Sequence, residues 1–284
     1  MSARTEKVLS HNYASILKSL IDKQLIPPDI ARYDDHFLRT TIQKRFEATH
    51  CRQAGDYPDL LLNNAGEAGL LSVSLQISYS EFFRNSLTYS VLERIILPEL
   101  VHKMKNNKRK EIRIWSSACA GGQEAYSLAM LLEELKNEGG SHFDYRIFAT
   151  DQNEQLLNEA RKGYFSESLL NNVNVRRTKQ WFTKKGDTYS VKQELKNNIN
   201  FSVFDLFNNQ YSCPPASIFG DFDLVVCANL LFYYKTDYRR AIIGKAGNCL
   251  SKGGFLVTGE TERQILTDYG YNEVYPQSAI FKSR

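Results

Sequence analysis

Glu124, Asp151, Asp205 and Asn229 each stand just after an apolar run that gives way to a turn. If those runs are strands of an open parallel sheet, all four residues lie at its carboxyl edge, where such sheets bind their ligands. A carboxylate at the end of the second strand, as Asp151 is, can accept hydrogen bonds from both hydroxyls of a ribose. Asp151 also has a purely structural reading: with Glu154 three positions on, it makes a capping-box-like helix start, and the two roles are compatible. Glu124, near the start of the preceding helix, is favoured there by the helix dipole with or without a ligand. Gly121 and Gly122 let the backbone of the first turn approach a bound molecule. The chain has neither G-x-G-x-x-G nor a P-loop lysine, so dinucleotide and triphosphate readings weaken.

The elements that must position these residues follow from the periodicity. From Glu111, Ile112, Ile114 and Ser116 alternate with Arg113 and Trp115 before the turn at Cys119 to Gly122, and a helix follows over 123–136, with Gly139 and Gly140 as its stop. A second strand over 145–150 ends at Asp151 and a second helix runs to Arg161. Two such units predict a parallel sheet. Residues 162–198 interrupt it with a helix near 168–182 and a hairpin turning at Lys185, Gly186 and Asp187. Strands resume at 200–204 and 222–227, then a helix at 237–250 and a strand at 255–258; 274–282 adds a final edge strand.

Upstream, 1–75 reads as helices, with Tyr13, Ile16, Leu17, Leu20 and Ile21 at helical spacing, Pro27 and Pro28 as a break, and Phe37, Ile42 and Phe46 marking another helix. A further helix over 92–100 closes around Pro98. The expected organisation is therefore a helical N-terminal domain at 1–75, a linker and connecting helix at 76–110, and an α/β domain at 111–284 that carries the insertion.

Composition bounds the function class. The 284 residues are 42% hydrophobic and 24% charged, as in a folded globular protein, and the net charge of +4 is too mild to point to nucleic acid. No apolar run approaches the ~20 residues that span a bilayer, and Met1 to His11 lacks a secretory signal, so a cytoplasmic chain is expected. The five cysteines, Cys51, Cys119, Cys213, Cys227 and Cys249, are scattered without a C-x-x-C pair and are expected to be reduced, with no zinc site. Arg176, Arg177, Lys179, Lys184, Lys185, Lys192 and Lys196 crowd the insertion against Glu167, Asp187 and Glu194. That surface is either a steering face for an acidic partner or an ordinary solvated one.

Three segments in order carry a resemblance: Ser78-Tyr-Ser-Glu-Phe-Phe-Arg84, Ser117-Ala-Cys-Ala-Gly-Gly-Gln-Glu-Ala-Tyr-Ser127 and Cys227-Ala-Asn-Leu-Leu-Phe-Tyr233. With Ala149-Thr-Asp151, Leu250-Ser-Lys-Gly-Gly254 and Gly259-Glu-Thr-Glu262, the chain resembles the CheR family of chemotaxis receptor methyltransferases over 75–262. The resemblance implies a helical N-terminal domain, a Rossmann-like S-adenosylmethionine-dependent methyltransferase domain and an inserted antiparallel β-subdomain. It implies S-adenosyl-L-methionine as cofactor, S-adenosyl-L-homocysteine as product, and methyl esters on glutamates of a chemoreceptor cytoplasmic domain, an acidic helical partner. Neither nucleic acid nor membrane insertion is implied.

Position by position, it implies that Ser78, Ser80 and Arg84 contact the cofactor, that Glu124 and Asp151 hold its amino-acid and ribose regions, and that Asp205 and Leu206 flank its adenine. Asn229 and Tyr233 would lie beside the methyl-bearing end, with Arg84 and Tyr233 catalytic. Without that context Arg84 reads as a surface arginine and Tyr233 as a core tyrosine. The cationic positions Arg39, Lys44, Arg45 and Arg52 would join the insertion in docking the acceptor.

The chain departs from the family pattern at four places. Ser78 and Ser80 replace Asn-x-Thr, Gln123-Glu124-Ala125 replaces Glu-Glu-Pro, Ala228-Asn229 replaces Arg-Asn, and Asp205-Leu206 replaces Asn-Leu. Two alternatives stay open: a methyltransferase of the same fold with a different acceptor, suggested by Ala228 and Asp205, and a non-catalytic module that only binds the cofactor.

Overall fold

Side-chain caps open two helices of the first quarter of the chain. Asp34 accepts from His36 N at 2.9 Å at the head of α1 (Asp35–Glu47). After α2 (Tyr57–Asn63), Asn64 accepts from Glu67 N at 3.1 Å to open α3 (Ala65–Ser74). The structure, a computed structural model, describes residues 13–14, 17–26, 28–49, 51, 53–106, 111–139, 142–217 and 220–282. Met1 to His11, Ile16, Pro27, Arg52 and Gly140, on which expectations were placed, lie outside them.

The chain divides into two compact units, Met1–Ile77 with Phe232–Arg239, and Ser78–Leu231 with Arg240–Arg284. In the first, Leu38, Ile42, Phe46, Tyr57, Leu61 and Leu71 are buried. Beneath them Glu67 takes a two-pronged ion pair from Arg45 (Nη2 to Oε2 2.6 Å, Nε to Oε1 3.1 Å) and a hydrogen bond from the Tyr57 hydroxyl at 2.9 Å. Arg45 is thus a structural cation.

In the second unit α4 (Ser86–Val91) does not stop near Leu100. It passes through a wide turn at Leu92–Ile96, where Leu97 N bonds the Leu92 carbonyl five residues back, into α5 (Leu97–Asn106). Pro98 lacks an N–H and its ring crowds the carbonyl four residues back; the widened turn accommodates it without ending the helix.

The α/β part then runs β1 (Glu111–Ser117), α6 (Gln123–Gly139), β2 (Asp144–Asp151), α7 (Glu154–Lys162), β3 (Tyr164–Ser166), α8 (Val175–Trp181), β4 (Phe182–Lys185), β5 (Thr188–Val191), α9 (Gln193–Lys196) and β6 (Ile199–Val203). It continues as β7 (Phe222–Val226), α10 (Thr236–Asn248), β8 (Leu250–Val257), α11 (Arg263–Asp268), β9 (Asn272–Glu273) and β10 (Ile280–Lys282).

Seven strands form one sheet in the order β6-β2-β1-β7-β8-β10-β9. It is parallel from β6 to β8, and β10 is antiparallel to both its neighbours. The fold is therefore a Rossmann-like α/β fold. The chain reverses direction of growth at β1, whose neighbours β2 and β7 begin the two halves, so the crevice at the ends of β1, β2 and β7 is the topological switch point. β7 is buried along its whole length, which explains its apolar run Leu224 to Val226, and its buried Asp223 accepts from Arg113 N at 2.9 Å. A separate antiparallel sheet, β3-β5-β4, sits in the insertion.

Three expectations need correction. The final edge strand is the short β9; β10 is interior, because the chain doubles back and inserts it beside β8. The insertion's long helix is only Val175–Trp181, capped by Asn174, which accepts from Arg177 N at 2.8 Å; a 3-10 turn at Glu167–Leu170 precedes it. The cysteines are not all reduced: Cys213 and Cys249 form a disulfide, with Cα atoms 5.9 Å apart across 36 residues of sequence. The long segment after β6 brings Cys213 to the end of α10, a return that spacing along the chain does not reveal. Cys51, Cys119 and Cys227 are free thiols.

Candidate functional site

The turn after β1 is built from backbone that most residues avoid. Ala118 (φ 59°), Ala120 (φ 45°) and Gly122 (φ 86°) are all left-handed, which costs an alanine about 1–2 kcal/mol. Two hydrogen bonds from the end of β2 hold it: Cys119 N to the Thr150 carbonyl at 2.8 Å, and Ala120 N to Asp151 Oδ2 at 2.9 Å. Asp151 Oδ1 accepts from Asn153 N at 2.9 Å. Burial raises the Asp151 pKa, against the lowering effect of backbone donors Asn153, Ala120 and Gln152.

Asp151 does not make a capping box with Glu154. Asn153 is the cap of α7, accepting from Gln155 N and Leu156 N at 2.9 and 3.3 Å, while Asp151 clamps the turn. Each of its oxygens keeps accepting capacity beyond these bonds.

Gly122 has no room for a side chain: a Cβ there would lie 2.9 Å from Ala160 Cβ and 3.2 Å from the Phe201 ring. At Gly121 a Cβ would meet Gln123 Oε1 at 2.8 Å, and that oxygen is buried without a hydrogen-bond partner. A bare backbone and an unused acceptor thus lie side by side in the turn.

Glu124, at the head of α6, receives the Ser116 hydroxyl at 2.6 Å. Burial pushes its carboxyl up to about 7, with Ser116 and the charge of Arg84 acting downward and the charge of Glu262 acting upward. Arg84 is brought there by a rigid segment. Phe82 is wholly buried, edge-on to Phe165 and Phe182 at 4.9 and 5.6 Å, and Phe83, at φ 48°, donates its N–H to Ser127 Oγ at 3.1 Å. The Arg84 guanidinium lies over the Tyr79 ring at 5.1 Å, and Ser78 and Ser80 begin the segment, exposed and half-buried respectively.

On the other side of β1, Asn229 follows β7 in a left-handed conformation (φ 58°) and gives its N–H to Glu262 Oε2 at 2.7 Å. After β6, Phe204 N bonds the Asp151 carbonyl at 3.0 Å, Asp205 Oδ1 accepts from Phe207 N at 2.8 Å, and Leu206 is buried. The charge of Asp205 acts on Lys245 of α10, whose ammonium donates to the carbonyls of Asn208 and Tyr211. The extra negative charge at this position thus has a cation nearby.

Tyr233 falls in the other unit. Its ring packs edge-on against Phe37 at 4.9 Å and beside Phe232 at 4.1 Å, and its carbonyl accepts from Asp34 N at 2.7 Å. Arg84, Glu124, Asp151, Asp205, Leu206 and Asn229 all belong to the second unit, and the charge of Arg84 acts on Glu124.

Sequence reasoning missed three members: Ser116, which was read only as part of a strand, the buried acceptor of Gln123, and Glu262, quoted in a motif without a role. A glutamate just past a strand rich in apolar residues was the available signal for Glu262.

The donor set suits a small molecule with a ribose and a zwitterionic amino-acid end. Asp151 offers carboxylate lone pairs beside a bare glycine turn, while Glu124 and Arg84 present opposite charges for an ammonium and a carboxylate. Among the described residues no group of three or more His, Cys, Asp or Glu is arranged to hold a metal.

Comparison with known proteins adds the following. A family model described as CheR methyltransferase, SAM binding domain, matches residues 78–277. A chemotaxis protein methyltransferase of Borreliella burgdorferi is 32% identical over 73% of this chain and 72% of its own length. One of Listeria innocua is 34% identical over 69% of this chain and 70% of its own. Among solved structures, PKMT2 from Rickettsia typhi has a TM-score of 0.38 at 13% identity, covering 71% of this chain and 32% of that one, a likeness too slight to argue from.

Proposed function

We propose that this chain, which belongs to the CheR methyltransferase family and is an S-adenosylmethionine-dependent methyltransferase, forms methyl esters on glutamate side chains of chemoreceptor-like proteins. S-adenosylmethionine is its cofactor, and supplies an electrophilic methyl group on a sulfonium. The observation that carries the reading is the buried Glu124, held by the Ser116 hydroxyl and under the charge of Arg84, together with the Asp151-clamped turn. It supports a site for a zwitterion joined to a ribose.

In this reading Asp151 binds the ribose hydroxyls, Glu124 the ammonium of the amino-acid end, and Asp205 and Leu206 flank the adenine. Ser78 and Ser80 add polar contacts, and Asn229 borders the reacting end. Arg84 aligns a carboxylate, that of the cofactor or of the acceptor. A glutamate with an ordinary pKa of about 4.3 is already ionised at pH 7, so no general base is needed and the protein's task is alignment and exclusion of water.

Ala228, where the family carries arginine, favours a second reading, a different acceptor. A hydrogen bond to a charged group is worth about 1.5–3 kcal/mol, so its loss changes what the site holds by about ten- to a hundredfold. Incubation with cofactor labelled in its methyl group and membranes of the source cells separates the readings. Base-labile label on a receptor-sized protein is expected. Label that survives base means that the acceptor is not a carboxylate, and no label on any protein removes the proposal.

A further inference from the structure

Glu262 is wholly buried yet carries a carboxylate. Its Oε2 accepts from Asn229 N at 2.7 Å, Gly259 N at 2.9 Å and Thr258 Oγ1 at 2.9 Å, and its Oε1 accepts from Leu231 N at 2.6 Å. Burying a charge costs several kcal/mol unless such bonds replace water. A carboxylate is acceptor-only, so no hydrogen of its own obstructs these donors. Those donors come from two loops, the one that follows β7 and the one that follows β8.

What they hold is specific. Asn229 has φ 58°, a conformation that persists in a residue other than glycine only where its surroundings enforce it. The N–H groups on either side of Leu230 are both taken by this one carboxylate. Gly259 presses on the same amide: a Cβ there would lie 2.5 Å from Asn229 Nδ2 and 2.9 Å from Asn229 N. The φ of Gly259 is an ordinary −70°, so its glycine is required by the approach of Asn229 and of Glu262 Oε2, 2.8 Å from where a Cβ would stand, and not by its backbone.

We propose that Glu262 is a positioning residue of the methyltransferase site, fixing the left-handed turn at Asn229 and so aiming that amide at the cofactor. The inference rests on the reading of Asn229 as a cofactor contact, given above. Glu262→Gln keeps size and shape but turns an NH2 toward backbone donors, which forces the turn to move. Gly259→Ala leaves the Glu262 side chain chemically intact but crowds both ends of the contact, since its Cβ would lie 2.5 Å from Asn229 Nδ2 and 2.8 Å from Glu262 Oε2.

The test is calorimetric affinity for S-adenosylhomocysteine in the whole protein, with folding followed by circular dichroism. It compares Asn229→Ala, Glu262→Gln, Gly259→Ala and the double variant Glu262→Gln/Asn229→Ala. Asn229→Ala should weaken binding by about tenfold. Glu262→Gln and Gly259→Ala should each weaken it comparably, and the double variant should be no worse than its weaker-binding single, because coupled residues are not additive.

If Asn229→Ala binds like the parent, the reading of Asn229 fails and the positioning role with it. If Asn229→Ala weakens binding while Glu262→Gln and Gly259→Ala do not, or if the double variant shows the full product of both losses, the positioning role is overturned and the reading of Asn229 stands. Should Glu262→Gln fail to fold, the same cycle with Gly259→Ala and Asn229→Ala decides the matter.

Discussion

Glu124 is the residue at which fold stability and ligand binding pull in opposite directions. Its carboxyl is raised from an ordinary 4.5 to about 7, burial being the largest cause. In the unfolded chain it loses its proton near 4.5 and in the folded chain near 7, so between those values the folded state holds the extra proton. Its contribution to stability therefore falls as pH rises through that window, and the full cost of a buried charge is present above pH 7. Glu124→Gln should melt higher than the parent at pH 8, with the difference vanishing near pH 4.5. The same variant should lose affinity for the cofactor, and the parent's affinity should decline below about pH 7 as Glu124 takes up a proton. Melting curves and calorimetry from about pH 4.5 to about pH 8 check both; a pH-independent affinity would remove Glu124 from the site.

Arg84 and Asp151 differ in a second respect. A ribose contact is made equally in ground and transition states, so Asp151→Asn should raise KM for the cofactor with kcat little changed. Arg84→Ala should lower kcat by about tenfold or more at saturating cofactor, because alignment of a carboxylate matters most in the transition state. Initial rates on an authentic acceptor decide this, and an unaltered kcat in folded Arg84→Ala would show that Arg84 is not catalytic.

At the scale of elements, the parallel strands were legible because each is a short apolar run bounded by turn residues, and Ile112 to Trp115 or Leu224 to Val226 admits little else. What was illegible required knowledge of partners distant in sequence. Asn153 and Asp151 both fit a helix start, and only the return of Ala120 N to Asp151 Oδ2 assigns the cap to Asn153. Pro98 reads as a terminator until the wider hydrogen-bond spacing at Leu97 absorbs it. Glu262 looked like any polar residue in a loop, since Asn229, Leu231, Thr258 and Gly259, which donate to it, lie in segments whose meeting depends on β7 pairing with β8. Cys213 and Cys249 meet for the same kind of reason.

That disulfide gives an element-scale expectation. Closing a 36-residue separation restricts the unfolded chain by about 4 kcal/mol in the chain-entropy model. A thiol reductant, or Cys213→Ser, should lower the melting temperature by several degrees, and peptide mapping without reductant should recover the Cys213–Cys249 cross-link. An unshifted melting temperature with the cross-link present would mean that its segment contributes little to cooperative unfolding.

At the scale of the whole molecule, a net charge of +4 says little until cations that serve the fold are separated from those that face solvent. Arg45 is spent on Glu67. Arg177, in the insertion, is held by Glu134 at 2.7 Å and Glu93 at 2.7 Å while its guanidinium covers Phe83, so it belongs to the architecture. Arg176 pairs with Glu138 at the surface. Lys184 and Lys185 remain exposed, with Lys192 half-buried beside them in sequence, and the 3.8 Å contact of Lys184 with Glu167 is between exposed side chains, worth little. An acidic acceptor should be drawn to these lysines over distances set by the Debye length, about 10 Å at 0.1 M salt and about 3 Å at 1 M. Reversing Lys184, Lys185 and Lys192 to glutamate should therefore slow the encounter with acceptor and flatten its salt dependence, leaving cofactor affinity unchanged because none of the three belongs to the proposed cofactor contacts. Methylation rates at limiting acceptor, measured from low to high salt, test this. Parent-like rates and salt slope in the triple variant would make the insertion's lysines an ordinary solvated face and move the search for the docking surface elsewhere on the molecule.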